Sequence, residues 1–281
     1  MGHVIAGIGG SHSPSVARAF DGGPQNFGEW APYFNTYADI KRWLAGLRPD
    51  LAIVFYNDHL NSLTFDQYPT FALGASDFYP LANEGEPTRG YPGVRGDTEF
   101  AWHLAETLIA DQFDPSICQQ LAIDHGVMTV FPLLFDQPWP VPIVPLSINV
   151  VQHPLPLPAR CYRLGQAVRR AIETDGTSKR VVVIGTGGLS HHLQGPDYGY
   201  INPEWDEEFL DLIEREPEKL SGMSIGDYLS RGGSEGVEVI IWLAMRGAMG
   251  QAPRRAYRRY HPGLLTGCAV LALDDTAAAT R

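Results

Sequence analysis

A run of six apolar residues, Leu51 to Tyr56, breaks off abruptly into Asn57-Asp58-His59. A strand-length run that is apolar at every position is buried on both faces, as in parallel sheets covered by helices on each side. In open sheets of that kind, ligands bind beyond the carboxyl ends of the strands, so Asn57, Asp58 and His59 stand where chemistry is expected. The pattern occurs twice more. Residues 4–10 lead through glycines to Ser11-His12, and residues 181–184 lead through Gly185-Thr186-Gly187-Gly188 to Ser190-His191. Three strand ends each deliver a histidine. The expected fold is α/β: a single domain spanning 1–281, a central mixed sheet flanked by helices, and an active site at the C-terminal ends of the strands.

Composition narrows what such a domain can do. A chain of 281 residues buries a large core without needing a second domain, and no linker divides it. Its 44% hydrophobic content and mean hydropathy of -0.13 describe a globular protein, with no apolar run of membrane-spanning length. Met1-Gly2-His3 runs directly into the first strand with no basic, apolar leader, which predicts a cytoplasmic protein. Cys118, Cys161 and Cys268 lie far apart and form no CxxC pair, as suits a reducing compartment. A net charge of -11 without a Lys/Arg cluster excludes nucleic acid as the expected partner. An anionic substrate would need local positive charge from a metal or an arginine.

Along the chain, residues 30–47 have a helical period, and 60–80 are rich in aromatics. Residues 82–96 form a long loop punctuated by glycine and proline, of the kind that makes lids and substrate walls. Asp97 is placed to cap a helix over 97–113. Residues 121–127 form a further apolar stretch carrying Asp124-His125. A buried strand within 141–151 is expected from Leu146 onward, because Pro142 and Pro145 cannot donate to a ladder. Residues 160–174 and 204–215 read as amphipathic and charged surface helices. Ser234 is placed to cap a helix continuing to Met245, and Glu238 lies on its apolar flank, where an unpaired carboxylate would be costly. A final strand over 268–273 precedes a frayed tail at 274–281.

His3, His103, His153 and His261 are read as ordinary polar residues. His12, His59 and His191 differ because each follows a strand end, His125 follows Asp124, and Glu238 is the carboxylate in the most apolar setting. Two neutral imidazoles and one carboxylate on one face of a metal leave adjacent positions open, an arrangement suited to non-haem Fe(II) and oxygen. Asp58 and Asp124 either orient imidazoles or form turns. Gly222-Met223-Ser224-Ile225-Gly226 matches the GxSxG pattern of hydrolase elbows but does not follow a buried strand. Neither glycine-rich turn completes GxGxxG, and HExxH is absent.

Gly-x-x-x-Ser-His-x-Pro at 7–14, Tyr-Asn-Asp-His at 56–59, Pro-Thr-Phe-Ala-Leu-Gly at 69–74, Asp-His-Gly at 124–126, Gly-Thr-Gly-Gly-Leu-Ser-His at 185–191 and Gly-Ser-Glu-Gly-Val-Glu at 233–238 resemble the class III (type II) extradiol ring-cleaving dioxygenases, above all the protocatechuate 4,5-dioxygenase β subunits. The resemblance covers nearly the whole chain. It implies Fe(2+) held by His12, His59 and Glu238, with His191 as the acid/base residue and His125 as a further active-site histidine. The implied reaction is cleavage of a protocatechuate-like catechol by O2, beside its diol, to a muconate semialdehyde. Asn57 and Thr266 are the expected substrate contacts, with Asp58 and Asp124 behind the ligands. Pro262-Gly263-Leu264-Leu265 departs from the small polar residues that help hold the substrate carboxylate in protocatechuate-cleaving relatives, and residues 65–68 look somewhat like gallate and methylgallate dioxygenases. A small α subunit (α2β2) or a homo-oligomer is the implied assembly. From other classes, a zinc-dependent hydrolase with the same ligands and a catalytically idle scaffold remain open.

Overall fold

The structure is a computed structural model that describes residues 1–85 and 89–276. The chain runs β1 (His3–Gly10), α1 (Pro14–Asp21), α2 (Ala31–Leu47), β2 (Leu51–Tyr56), β3 (Phe71–Gly74), β4 (Phe78–Tyr79), β5 (Val94–Arg95), α3 (Thr98–Ala110), β6 (Ser116–Cys118), α4 (His125–Met128) and α5 (Phe131–Leu134). It continues through β7 (Ile143–Ile148), α6 (Pro158–Thr174), β8 (Arg180–Thr186), α7 (Pro203–Arg215), α8 (Pro217–Ser221), α9 (Ile225–Gly232), α10 (Ile240–Gly247), β9 (Arg254–Pro262) and β10 (Gly267–Asp274).

Eight strands form one mixed sheet in the order β6-β3-β7-β2-β8-β1-β10-β9. Its centre, β7-β2-β8-β1, is parallel, while β3 and β10 flank that block antiparallel. Because β2, β8 and β1 are adjacent and point the same way, their carboxyl ends share one edge, and His59, His191 and His12 follow from it.

The period-2 alternation of the strands feeds two cores. Phe55 and Val183 pack under α3, α6, α7 and α10, whereas Val54, Tyr56 and Ile184 pack under α2, α4 and α5. The contact with α10 is close enough to dictate residue type: a Cβ on Gly9 would lie 2.2 Å from the Trp242 ring. Where α6 crosses α10, a Cβ on Gly165 would meet the Ala244 carbonyl oxygen at 2.0 Å.

Four expectations need correction. Strand β7 begins at Ile143 and includes Pro145, which pairs with Val54. Ala52 N–H donates to Pro142 O and Asn149 N–H to Thr70 O, so the odd-numbered residues of β7 face β3. The register Phe71↔Ile148, Ala72↔Ser147, Leu73↔Leu146 sets Pro145 opposite Gly74, where β3 ends and no ladder donor is required. Ser234 does not cap a helix; its hydroxyl turns to Glu235, and Glu238 sits on a separate 3-10 turn, Gly236–Val239, ahead of α10. Helix α7 is not merely a surface helix, because Trp205, Asp206 and Phe209 are buried. The expected frayed tail does not begin at 274: the last strand runs through Asp274, paired along its length with β9, and Asp275 beyond it is 3% exposed with its N–H donating to Ile5 O. Asp97 caps α3 as expected, accepting from Phe100 N–H at 3.0 Å. Residues 86–88 of the expected lid loop and 277–281 of the expected tail lie outside the described residues.

Candidate metal centre

Each of the three strand-end histidines is held by Nδ1, which turns its Nε2 toward a common point. His12, 2% exposed, donates Nδ1–H to Thr186 Oγ1 at 3.0 Å, and that hydroxyl in turn reaches Phe55 O at 3.5 Å. His59 donates Nδ1–H to Asp124 Oδ2 at 2.9 Å. His191 donates Nδ1–H to its neighbour Leu189 O at 2.7 Å. These anchors select the tautomer that presents an Nε2 lone pair.

The acid at the focus is Glu238. Its Oε2 lies 3.3 Å from His12 Nε2 and 3.9 Å from His191 Nε2, and its Oε1 lies 3.8 Å from His59 Nε2. Gly188 N–H donates to Oε2 at 3.0 Å, and Gly187 at φ 138° brings the turn against the Glu238 backbone. A site-incompatible burial cost is thereby avoided: burial would raise the Glu238 carboxyl, but His12, His59 and His191 hold it well below the usual carboxylate range. Burial would lower His59, yet Asp124 and Glu238 push it up to about 10; His12, the most enclosed, stays lowered by burial despite Glu238. The centre therefore has a strong preference for positive charge.

A metal ion fits this preference. His12 Nε2 is buried and makes no hydrogen bond even though Glu238 Oε2 faces it. Bonds of about 2.0–2.2 Å to one ion at octahedral to tetrahedral angles separate donors by roughly 3.0–3.5 Å, close to the spacings here. His12, His59 and His125 also come within 4.8 Å of one another through ligand atoms, as do Glu84, Asp124 and His125. The second group is engaged otherwise, since Asp124 accepts from His59 N–H, Asn61 Nδ2 and Gly126 N–H and caps α4. His125 stacks on His59 with centroids 3.8 Å apart, is held at Nδ1 and N–H by Glu84, and is more exposed than His12. It is thus placed at the open side of the centre.

The remaining predicted residues divide. Asn57 is fully buried, with Nδ2 3.0 Å from His59 Nε2 and an Oδ1 that has no partner among the described residues. Thr266 bridges His191 across the strand edge and is 6% exposed. Asp58 touches no imidazole. Its carboxylate accepts from the N–H groups of Asn61, Ser62 and Leu63, so it shapes the turn behind His59. Ser224 is an exposed capping-box residue of α9, reciprocally bonded with Asp227, which accounts for GxSxG without a nucleophile. Leu264 is 94% exposed.

Sequence reasoning missed Thr186, Glu84 and Asp206. Thr186 carried a signal, being the only hydroxyl in the turn Gly185–Gly188; Glu84 is one acid in a long loop and carried none. Asp206 was hidden among the acids of α7. Burial pushes its carboxyl up, against the donors Ser190 and Tyr260 that pull it down. A cleft of about 730 Å³ opens beside His125, walled by Glu84, Arg18, Leu81 and Met128.

A mixed sheet with this constellation at one edge defines a class that sequence comparison identifies. Residues 7–269 match the family described as the catalytic LigB subunit of aromatic ring-opening dioxygenase, and the chain belongs to that family. Over 197 residues it is 42% identical to a gallate dioxygenase of Pseudomonas putida, covering 69% of this chain and 58% of that protein. It thus spans little more than half the length of that relative. It is 26% identical over 260 residues to a 2,3-dihydroxyphenylpropionate/2,3-dihydroxicinnamic acid 1,2-dioxygenase of Rhodococcus jostii, covering 77% of this chain and 81% of the other. The crystal structure of an uncharacterized protein from Escherichia coli K12 matches with a TM-score of 0.56 at 15% identity, over 95% of this chain and 99% of that one, a likeness of fold alone.

Proposed function

We propose that this protein cleaves the ring of a catechol carrying a carboxylate, beside its diol, using O2 and an Fe(2+) ion held by His12, His59 and Glu238. The observation that carries the reading is the convergence of two Nδ1-anchored imidazoles on one buried carboxylate, with a third imidazole, His191, 3.9 Å from the same oxygen. When bound, ferrous iron supplies the one-electron chemistry that joins a closed-shell ring to triplet oxygen. The chain supplies the rest. His191 Nε2, with Nδ1–H committed to Leu189, takes the proton of a substrate hydroxyl and later returns it to a leaving oxygen. Asn57 Oδ1 accepts from a substrate hydroxyl, and Thr266, beside His191, lines the same wall. His125, oriented by Glu84, closes the cleft side, and Asp124 fixes His59.

The carboxylate needs a cation in an otherwise acidic protein. Arg18 on the cleft wall provides one, whereas Arg89 nearby is paired with Asp21. Similarity to a gallate dioxygenase favours gallate over protocatechuate as the substrate. The free thiols Cys118, Cys161 and Cys268 suit a reducing cytoplasm, and no helix among the described residues is long and apolar enough to cross a membrane.

The test is anaerobic metal analysis followed by oxygen uptake with gallate, protocatechuate, 3-O-methylgallate and unsubstituted catechol, with and without an added small α subunit. Ferrous iron with catechol-dependent uptake is expected. Tight zinc with ester or amide hydrolysis, or no activity with any metal supplied, overturns the reading.

A further inference from the structure

One buried carboxylate is used by none of the chemistry above. Asp206 is 0% exposed in the first turn of α7, whose N-terminus is capped by Asn202. A buried ionised carboxylate is tolerated only where hydrogen bonds satisfy it, and here two of the donors come from one residue. Oδ1 accepts Ser190 N–H at 2.8 Å, and Oδ2 accepts both the Ser190 hydroxyl and the Tyr260 hydroxyl at 2.8 Å. The Ser190 oxygen accepts in turn from Asn202 N–H at 2.7 Å, which commits its proton to Asp206.

Ser190 is the residue before His191. Its carbonyl accepts Gly267 N–H at 2.9 Å, and Leu189 N–H donates to Gly267 O at 3.0 Å, so the segment is bonded to the start of β10 as well. A Cβ on Gly267 would lie 2.0 Å from Asp206 Oδ2, so only glycine admits the carboxylate there. His191 N–H is held by Gly232 O at 2.8 Å. The ring of His191 rests on this clamped backbone through its bond to Leu189 O.

We propose that Asp206 is the positioning residue of His191: through Ser190 it fixes the 189–191 backbone so that the imidazole Nε2 stays aimed at the metal centre. It touches neither substrate nor metal ligand and acts only through its neighbour. The inference rests on the reading of His191 as the acid/base residue. Asp206→Asn keeps the acceptor for Ser190 N–H but puts an amide donor where two hydroxyl protons converge, leaving the Ser190 proton without its acceptor.

The experiment compares iron-loaded wild type, Asp206→Asn and the milder Ser190→Ala. Asp206→Asn is expected to retain iron and KM for the catechol while kcat falls roughly 10–100-fold; Ser190→Ala falls less, in the same sense. Unchanged kcat in the folded variants, or a kcat loss that merely tracks lost iron, overturns the proposal. If Asp206→Asn does not fold, Ser190→Ala carries the comparison. A second readout needs no turnover: NMR of the imidazole signals in metal-free protein, with His191 assigned from His191→Phe. The His191 signals should shift and broaden in both variants while those of His103 and His261 stay, and unmoved His191 signals overturn the proposal. Should wild type turn over no catechol, the functional reading fails, and the imidazole signals still decide the role of Asp206.

Discussion

Four imidazoles in this protein are turned the same way, each tied at Nδ1 to an acceptor of a different kind: a hydroxyl for His12, a carboxylate for His59 and His125, a backbone carbonyl for His191. The acceptor tunes the ring. A carboxylate behind a ligand raises its basicity and stiffens it, whereas a carbonyl orients without adding full charge. Asp124→Asn should therefore weaken iron affinity about 10–100-fold, measured by competition with a chelator. Glu238→Ala removes the carboxylate on which His12, His59 and His191 converge and should abolish iron retention through gel filtration. His191→Phe should keep iron and lose oxygen uptake; metal loss in that variant would show that ligand and base have been assigned the wrong way round.

At the scale of elements, the strand ends place the histidines and glycines let α10 pack closely on the sheet and on α6. Gly9 lies in β1, three residues before His12, with Trp242 of α10 against its missing side chain. Gly9→Ala forces a methyl into that contact and should cost about 1–3 kcal/mol, read as a lowered urea midpoint. Ser224 tests the opposite kind of residue, a motif member with a purely local role. Ser224→Ala should lose a little stability through its cap and none of the oxygen uptake; a large fall in activity would reopen the hydrolase pattern.

At the scale of the whole molecule, a buried carboxylate ringed by imidazoles suits a cation. Binding of a ligand to the native state alone stabilises it, by about 2.7 kcal/mol at a hundredfold excess over Kd. Anaerobic Fe(II) should raise the melting temperature of wild type, a chelator should reverse the rise, and Glu238→Ala should show neither effect. What was legible beforehand were features written in consecutive residues: the buried strands β1, β2 and β8, the turns that follow them, and the cap at Asp97. Pro145 misled because whether a missing donor matters depends on the strand opposite, and β3 happens to end there. Asp206 and Glu84 were illegible because one acid of a charged helix and one acid of a loop look like any others until the chain folds.

The amino-acid order alone determined that strand-length apolar runs end in glycine and histidine, since burial and backbone freedom are properties of neighbouring residues. It singled out Glu238 because an acid on an apolar flank demands a partner. Only the tertiary structure decided that partner, by setting β1, β2 and β8 side by side so that imidazoles 47 and more residues apart in the chain meet one carboxylate. It also decided which groups stand behind the imidazoles, because a hydrogen bond such as His12 to Thr186 acts over about 3 Å of space and is indifferent to the 174 residues between its ends.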